Sequence, residues 1–373
     1  MPEYLLQSGV GEIAGQHYLP SQVDDITWGW LPNRDYKPVL EVASGQTVTI
    51  DTVSHEGILE DQGRDPTRYL AQYGVAAAQI LLDARDIAAN ESLHRDNAGP
   101  HVVTGPISVT GAKAGDLLKV EILELSPRAP YGFISNRHGY GALVGEFPEH
   151  PDSEPVRALD RIASTGTISH FCSLDSGPDG PRATIGEHFG RSVSFPINPF
   201  LGLMGVAPDT SEPVHSVPPG PHGGNIDIKE TVIGSTVYLP VKVAGALFYV
   251  GDPHYAQGNG EVALTALEAP LRATIRLSVI SGSQVAGVIG SVREPFIETA
   301  THWIPSGMDP DLNVAVQNCV RNAVLFLNTR LGVPRDVALA YLSAAADFEI
   351  SQVVDIVKGV HCMIRKTDFA TWI

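Results

Sequence analysis

The chain of 373 residues carries 25 Lys and Arg against 42 Asp and Glu, which gives a formal net charge of −17. This acidic balance argues against nucleic acid and against an anionic membrane surface as partners, because binding phosphate groups needs clustered cations. No apolar run approaches the ~20 residues that span a bilayer, and the first residues lack the basic and apolar segments of a signal peptide. We therefore expect a cytoplasmic protein of two or three domains.

The first part of the chain has the pattern of strands and turns, in keeping with its many Gly (37) and Pro (28) residues. Residues 39–54 alternate apolar and polar side chains on both sides of a turn at Ser44-Gly45, which predicts a hairpin. Residues 101–127 repeat the order of strand, turn and strand, and such pairs predict a β-sandwich or jelly-roll-like body. Between them, residues 66–87 have helical spacing and predict one helix.

The middle of the chain is richer in loops. Residues 146–182 predict long loops around a short strand or two. Residues 196–226 are dense in Pro and Gly yet apolar, which predicts irregular structure packed near the core, as in a functional loop. Further strands are predicted at 235–243, 246–252 and 261–280.

The last quarter of the chain has helical patterns as well as strand patterns. Apolar spacing predicts a helix over 313–332, ended by Gly332, followed by a second helix over 334–348 and a closing strand over 359–366. We therefore divide the chain into three parts: a β-rich body with one helix (1–145), a β and loop region that carries the candidate active site (146–280), and an α+β portion (281–373).

Two glycine-rich segments, residues 219–227 and 250–261, concentrate His, carboxylate and carboxamide side chains. Glycine permits positive φ, so a short loop can aim several side chains at one point. Asp252 and His254 are two residues apart, which places them on one side of an extended strand, as a chelating pair requires. Imidazole with carboxylate suits zinc. The alternative is that both segments are ordinary loops in which Asp forms turns and His is satisfied locally.

Other kinds of catalytic or binding site have less support in the sequence. His94, Asp96 and His101 form a lesser candidate cluster, for which a polar loop is the alternative. The sequence has no G-x-S-x-G elbow and no phosphate-binding G-x-x-x-x-G-K-[ST] loop. Its three cysteines are scattered, which predicts reduced core residues rather than a disulfide framework or a nucleophile.

Several stretches resemble the acetamidase/formamidase family, and they occur in the family's order from about residue 38 to residue 352. The most specific are P-G-P-H-G-G-N-I-D-I-K (219–229) and V-G-D-P-H-Y-A-Q-G-N-G-E (250–261). Further similar stretches are H-V-V-T-G-P-I-S-V with the following G-A-K-A-G-D, then G-L-M-G-V-A-P (202–208) and G-S-T-V-Y-L-P-V from residue 234.

The resemblance implies a mainly β fold, with a β-sandwich-like body, a barrel-like part and a C-terminal α+β portion. It implies an amidase that hydrolyses small amides such as formamide and acetamide to ammonia and a carboxylate, and a homo-oligomer. The family also includes enzymes that open γ-lactams. A bound divalent metal, zinc in our interpretation, is consistent with the His and carboxylate clusters.

The sequence departs from the family pattern in four places. The usual His-containing start of the N-terminal region is replaced by W-G-W-L-P-N-R-D-Y-K-P-V-L (28–40), and residues 257–261 read Q-G-N-G-E in place of Q-G-D-G-E. Residues 55–65 and 146–182 match poorly. We expect these regions to shape the substrate pocket, so the resemblance predicts the reaction class rather than the particular substrate.

These observations give a working hypothesis for the site. Because an amide is a poor electrophile, a metal that lowers the pKa of water to ~7 would supply the nucleophile. The metal ligands are then His222, Asp252 and His254, and Glu261 is the general base and acid, with Glu146 in reserve. Asn225 and Gln257 would bind the substrate, with Asp227 beside them or orienting a ligand His. The alternatives are a γ-lactamase, a non-catalytic small-molecule binding protein on the same scaffold and, with little support, a structural protein.

Overall fold

The computed structural model describes residues 5–148, 166–178, 180–188 and 190–372, which are folded mainly into strands. In chain order the strands are β1 (His17–Leu19), β2 (Ile26–Trp28), β3 (Trp30–Leu31), β4 (Leu40–Ala43), β5 (Gln46–Asp51), β6 (Val102–Thr110), β7 (Leu117–Pro127), β8 (Tyr131–Arg137), β9 (Thr167–Gly177), β10 (Gly180–His188), β11 (Arg191–Pro196), β12 (Phe200–Val206), β13 (Val214–His215), β14 (Gly223–Asn225), β15 (Thr236–Pro240), β16 (Phe248–Ala256), β17 (Leu267–Glu268), β18 (Leu271–Ile280), β19 (Phe296–Glu298), β20 (His302–Asp309), β21 (Asp347–Gln352) and β22 (Lys358–Arg365). The α-helices are α1 (Pro66–Ala71), α2 (Leu82–Ala89), α3 (Ala286–Ile289), α4 (Leu312–Leu331) and α5 (Arg335–Ala345).

Two large sheets share one apolar core. A nine-stranded sheet has the order β1-β5-β18-β7-β15-β19-β20-β22-β21, and an eleven-stranded sheet runs β11-β10-β9-β8-β17-β16-β12-β14, with β6 pairing β16, β2 and β4. Ile275 of β18 and Phe248 of β16, one from each sheet, are both fully buried in this core. The mostly β prediction is therefore confirmed. Over the described ranges neither sheet closes on itself, so the predicted barrel-like part is not supported.

The two predicted strand–turn–strand patterns exist, but they are not hairpins. β4 pairs with β6 in the eleven-stranded sheet, whereas β5 pairs with β1 and β18 in the nine-stranded sheet. In the same way β6 belongs to one sheet and β7 to the other. Each connection therefore crosses from sheet to sheet. Alternation in a sequence reports which side chains are buried, and this is the same for a hairpin as for two strands on opposite sheets.

The helices differ from prediction in the N-terminal part and agree with it in the C-terminal part. The predicted single helix over 66–87 is two short helices, α1 and α2, and Gly74 between them has a φ of +78° that an α-helix cannot accommodate. Helix α4 begins after Asp311, whose carboxylate accepts hydrogen bonds from two backbone N–H groups, and ends at Gly332. Together with α3 and α5 it buries a second core against β20 and β22. None of the described helices is long and apolar enough to cross a membrane.

The loop-rich middle contains more strand than predicted. β9 and β10 are long strands, and β12, inside the supposed irregular segment, has every residue buried. Residues 149–165 of the predicted loops lie outside the described residues. All three cysteines are free and buried, as the sequence predicts. The buried strands β12 and β16 are neighbours in the eleven-stranded sheet, and they carry the centre of the candidate site.

Candidate active site

Strand β16 positions the first two site residues, Asp252 and His254, which are both buried. Its neighbours bring further residues alongside: Gly202 lies on β12, Glu268 on β17 opposite His254, and His101 directly precedes β6. A charged side chain in a fully buried strand is costly unless it is paired. The strand therefore depends on the polar groups that its neighbours supply.

Two histidines converge on one oxygen of Asp252. The Nδ1 atom of His55, in the loop after β5, lies 3.5 Å from Asp252 Oδ1, and the Nε2 atom of His101 lies 3.7 Å from it. The two rings meet edge to face with their centroids 5.4 Å apart, and His101 Nδ1 is 2.9 Å from the hydroxyl of Ser216. The three residues can thus present three ligand atoms to one ion. Two imidazoles and one carboxylate, each oriented by a further group, are a set that zinc accepts.

The other oxygen of Asp252 faces His254. Asp252 Oδ2 lies 3.0 Å from His254 Nε2, which is also 3.0 Å from Glu268 Oε1. Asp227 Oδ1 approaches the same point across Gly202. A Cβ atom on Gly202 would lie 2.7 Å from the ring of His254 and 2.9 Å from Asp252, and closer still to Asp227. Glycine is therefore required at position 202, because any side chain there would occupy the space where these groups meet.

Three carboxyl groups form a second part of the cluster. Asp227, Glu261 and Asp355 are all buried, and oxygen atoms from all three lie within 4.8 Å of one another. Asp227 and Glu261 each have a φ of 47°, and Asp252 has a φ of 48°. Left-handed backbone is uncommon for residues other than glycine, and such strain is concentrated at functional sites. Three strained carboxylates in one buried cluster indicate a site that is held in place for a purpose other than stability.

Burial and neighbouring charges set the protonation of the histidines. Burial lowers the pKa of His101 to about 4 and also lowers the pKa of His55, so both rings are neutral, as metal ligands must be. Burial opposes the charged form of His254, but the carboxylates of Glu268 and Asp252 outweigh it and hold the pKa of this ring well above its usual value. Burial likewise opposes the charged form of Asp252, and the adjacent His254 and His101 outweigh it and lower its pKa.

The remaining carboxyls shift in the opposite direction. Burial raises the pKa of Glu268 to about 8, and the charge of Asp252 adds to this shift. Burial also raises the pKa of Asp355 to about 7. The pKa values of Asp227 and Glu261 are raised well above their usual range, first by burial and then by the other carboxylates of the cluster. The site therefore combines an ionised carboxylate at Asp252 with carboxylic acids that hold protons near neutral pH.

An arginine–carboxylate network supports His55. Its neighbour Glu56 is buried and accepts hydrogen bonds from Arg137 Nη1 at 2.9 Å and from Ser135 Oγ at 2.6 Å. The Nε atom of Arg137 donates to Asp61 at 2.7 Å. Arg137 lowers the pKa of Glu56 against the effect of burial. The loop that carries His55 is thus anchored to β8 by paired charges.

The structure separates two of the predicted site residues from the cluster. His222 precedes β14, and its ring packs between Gly220 and Gly224. Burial lowers the pKa of His222 to about 4, and Lys242 adds to this shift; the residue does not belong to any group of potential ligands among the described residues. Glu146 is exposed in a turn. The structure therefore does not bring either residue to Asp252.

The other predicted residues do lie at or beside the cluster. Asn225 is buried at the end of β14 and interacts with Asp355. The Nε2 atom of Gln257 donates to the backbone oxygens of Asp227 and Ser351, at 2.9 and 3.1 Å. Among the described residues, the side-chain oxygens of Asn225 and Gln257 have no hydrogen-bond partner. Both amides therefore keep an acceptor available.

The lesser cluster is split by the structure. His101 joins the site, whereas His94 packs against Trp28 and Asp96 lines a surface cavity of about 560 Å³ together with Trp30. His55, Glu268 and Asp355 were not predicted at all. His55 had a usable signal, since S-H-E-G directly follows a strand and repeats the His, carboxylate and glycine composition of the predicted segments. Asp355 had none, because it is a single acidic residue in the C-terminal part.

The chain is similar to known proteins in both sequence and structure. The model of the Acetamidase/Formamidase family matches residues 82–214 and 209–368. A formamidase of Methylophilus methylotrophus is 27% identical over 314 residues, which cover 72% of this chain and 77% of that protein. An acetamidase of Mycolicibacterium smegmatis is 29% identical over 212 residues, about half of each chain (47% and 52%). The crystal structure of an acetamidase from Bacillus halodurans has a TM-score of 0.70 at 25% identity and covers 95% of this chain and 99% of its own.

These matches define the chain as an amidohydrolase that acts on carbon–nitrogen bonds other than peptide bonds. More particularly, it belongs to the acetamidase/formamidase family, because the family model matches well over half of its length. The predicted family and the predicted class of enzyme are thereby confirmed.

Proposed function

We propose that the protein is a metal-dependent amidase that hydrolyses small primary amides to a carboxylate and ammonia. The similarity to proteins named formamidase and acetamidase supports the substrate class. The observation that carries the metal dependence is the convergence of His55, His101 and Asp252, which offer three buried ligand atoms to one point.

The donor set fits a divalent metal. Among the described residues, His55 Nδ1 and Asp252 Oδ1 have no hydrogen-bond partner although both atoms are buried. A buried polar atom without a partner costs roughly 1–3 kcal/mol, so such atoms are expected to have a partner in the working protein. Zinc accepts imidazole nitrogen and carboxylate oxygen, and catalytic zinc keeps three protein ligands with one open position. When bound, the metal would polarise the amide carbonyl and lower the pKa of water.

His254 and Glu268 lie near the second oxygen of the proposed metal ligand Asp252. His254 is close to Asp252 Oδ2, whereas His55 and His101 approach Oδ1, and Glu268 is close to His254. His254 is held in its charged form beside the ionised Asp252, and its Nε2 atom lies 3.0 Å from both Asp252 Oδ2 and Glu268 Oε1. The imidazolium keeps Asp252 ionised and lies beside Oδ2, which leaves Oδ1 for the metal. In this arrangement His254 is a positioning residue rather than a ligand, and this differs from the role that the sequence predicts.

Glu261 is our candidate for proton transfer. Its carboxyl group lies in one group with Asp227 and Asp355 and in another with His254 and Glu268. In its ionised form Glu261 can accept a proton from the attacking water, and its raised pKa lets it hold that proton for delivery to the departing nitrogen, which leaves as ammonia. A primary amide also carries an N–H₂ group that needs acceptors. The free side-chain oxygens of Asn225 and Gln257 are suited to that task.

The proposal is tested by removing the metal. Protein dialysed against a chelator is assayed for ammonia release from formamide and acetamide and for opening of a γ-lactam, before and after zinc is restored. We expect activity towards linear amides to fall by at least 100-fold and to return with zinc. Full activity in metal-free protein would overturn the metal dependence. Turnover of the γ-lactam alone would favour the lactamase alternative, and tight binding of amides without product would favour the binding protein.

A further inference from the structure

A second group of imidazole and carboxylate side chains lies outside the buried cluster. It consists of His361 on β22, Glu349 on β21 and Glu230, which follows β14 and Asp227 along the chain. Glu349 and His361 are opposite each other in the antiparallel β21–β22 pair. His361 is fully buried, whereas the side chains of Glu230 and Glu349 are 14% and 31% exposed. The group thus combines a buried imidazole with two glutamates whose side chains are partly exposed.

The distances are those of ligands that surround an ion. His361 Nε2 lies 3.1 Å from Glu230 Oε2 and 3.8 Å from Glu349 Oε2. The His361 and Glu230 atoms are not aligned as donor and acceptor, and neither has a hydrogen-bond partner among the described residues. Two ligand atoms ~2.1 Å from a zinc ion at a tetrahedral angle lie ~3.4 Å apart. The observed separations fall on either side of this value.

The surroundings of His361 favour the tautomer in which Nδ1 carries the proton and Nε2 can bind a metal ion. The Nδ1 atom lies 2.8 Å from the hydroxyl of Ser351. When Nδ1 donates its proton to this hydroxyl, Nε2 keeps a lone pair that can bind a metal ion. Histidine ligands in metal sites are held in this way by a partner on the other nitrogen. The ammonium of Lys229 lies 3.9 Å from Glu349 Oε2. Its side chain is more than a third exposed and can move away.

We propose that Glu230, Glu349 and His361 bind a divalent cation of the zinc type, at a site distinct from the one at Asp252. This inference does not depend on the proposed amidase mechanism. Glu349 also accepts a hydrogen bond from Asn259, and the backbone of Gly260 donates to Ser351 O at 3.1 Å. A bound ion would therefore fix strands β21 and β22 to the segment that ends in Glu261, and its role is to position that segment.

The inference is tested with zinc as the only added ligand. Chelator-treated full-length protein is titrated with zinc against a chromophoric competitor. The variants Glu349→Gln and Glu230→Gln keep the shape of the side chain but remove its charge. We expect the wild-type protein to bind one equivalent of zinc more than either variant, or to bind that zinc at least ~100-fold more tightly. His361→Asn should behave in the same way. His302→Asn, a histidine on β20 that contacts Thr301, is the matched control and should bind zinc as the wild-type protein does.

A second measurement separates this site from the one at Asp252. In an Asp252→Asn background zinc should still raise the melting temperature, and the rise should disappear when Glu349→Gln is added. This result would hold whether or not the Asp252 site binds metal. If the wild-type protein, Glu230→Gln and Glu349→Gln bind the same number of zinc ions with the same affinity, the site does not exist, and His361 and Glu230 form an ordinary ion pair.

Discussion

The Nδ1 atom of His55 lies 3.5 Å from Oδ1 of Asp252, although one residue follows a strand of the nine-stranded sheet and the other is inside the eleven-stranded sheet. The candidate site is therefore formed where a loop from one sheet reaches the buried face of the other. Such a pair can be formed only in the folded chain. Affinity for a metal should accordingly depend on both residues and on His101, and it should not depend on His222.

This expectation distinguishes two ligand sets. His101→Gln should lower kcat/KM for acetamide by about 1000-fold and weaken zinc binding, because one of three ligands is lost. His222→Gln should change both by less than threefold, since its ring packs between Gly220 and Gly224, away from Asp252. Zinc content and ammonia release are measured on both purified variants. If His222→Gln loses its zinc while His101→Gln retains it, the ligand set derived from the structure is wrong.

Gly202 gives a steric test of the same site. Gly202→Ala would place a Cβ atom 2.7 Å from His254 and 2.9 Å from Asp252, so these side chains must move. Overpacking of this kind costs about 1–3 kcal/mol of stability, and displacement of Asp252 should abolish most of the activity. Gly258→Ala is the control, because a Cβ atom there meets nothing within 4 Å. The melting temperature and the turnover are measured for both variants. Equal turnover in the two would contradict the proposed geometry.

Much of the candidate site could be predicted from the sequence, because several of its residues lie in short segments of distinctive composition. Asp252, Asp227 and Glu261 lie in glycine-rich segments whose composition marks them, and each has the positive φ that such segments make possible. His222 lies in the same kind of segment, but it does not join the cluster. Composition identifies a segment and does not say which side chains turn to which face.

The rest could not be predicted because it depends on which distant segments meet. The order of strand, turn and strand at 39–54 is the same whether β4 and β5 pair or cross between sheets, and the crossing is what delivers His55 to Asp252. Asp355 reaches the cluster from the C-terminal part of the chain. Contacts of this kind leave no periodic trace in a sequence. The domain boundaries, the homo-oligomer and the cytoplasmic location stay predictions.

Glu261 should control the pH dependence of catalysis. Glu261→Gln retains the size of the side chain but cannot transfer a proton, so kcat should fall by about 10²–10⁴. The limb of the pH–kcat profile that belongs to this group should disappear. Glu146→Gln is the comparison, since Glu146 is exposed in a turn, and its kcat should not change. A Glu261→Gln enzyme with the wild-type profile at every pH would remove Glu261 from proton transfer.

Asp355 should make the metal-free protein less stable as the pH rises. Burial raises its pKa to about 7 in the folded protein, against ~3.9 in the unfolded chain. Below pH ~4 both states hold the proton, and there is no effect. Between these values the unfolded chain releases a proton that the folded protein keeps, so this group lowers the free energy of unfolding by up to ~1.4 kcal/mol per pH unit.

The Asp355→Asn variant lacks this titration. Its stability relative to wild type should therefore rise from pH 4 to pH 7 and stay level above pH 7. Urea unfolding in the presence of a chelator measures the difference at each pH. Asp86→Asn, at an exposed position on α2, serves as the control and should show a flat difference. A flat difference for Asp355→Asn as well would mean that Asp355 is ionised without cost in the folded protein.

A buried ion pair away from the site should carry much of the stability of the N-terminal part. The guanidinium of Arg128 is fully buried, with Nη2 2.6 Å from Asp83 Oδ2 and Nη1 donating to Thr52 O at 3.0 Å. Asp83→Leu leaves this charge without its closest carboxylate and should cost about 3–5 kcal/mol. The exposed pair of Arg34 and Asp209, also 3.0 Å apart, is the matched control, and its loss in Asp209→Asn should cost less than about 1 kcal/mol.

The double variant Asp83→Leu with Arg128→Met separates lost attraction from an unpaired charge. If the penalty comes from the guanidinium left alone, removing both charges should recover about half of the loss or more. The recovery will be incomplete, because Arg128 also donates to the backbone oxygens of Leu6 and Thr52. Urea unfolding of the two variants measures both values. A double variant less stable than Asp83→Leu would show that Arg128 stabilises the fold through these backbone contacts rather than through its partner carboxylate.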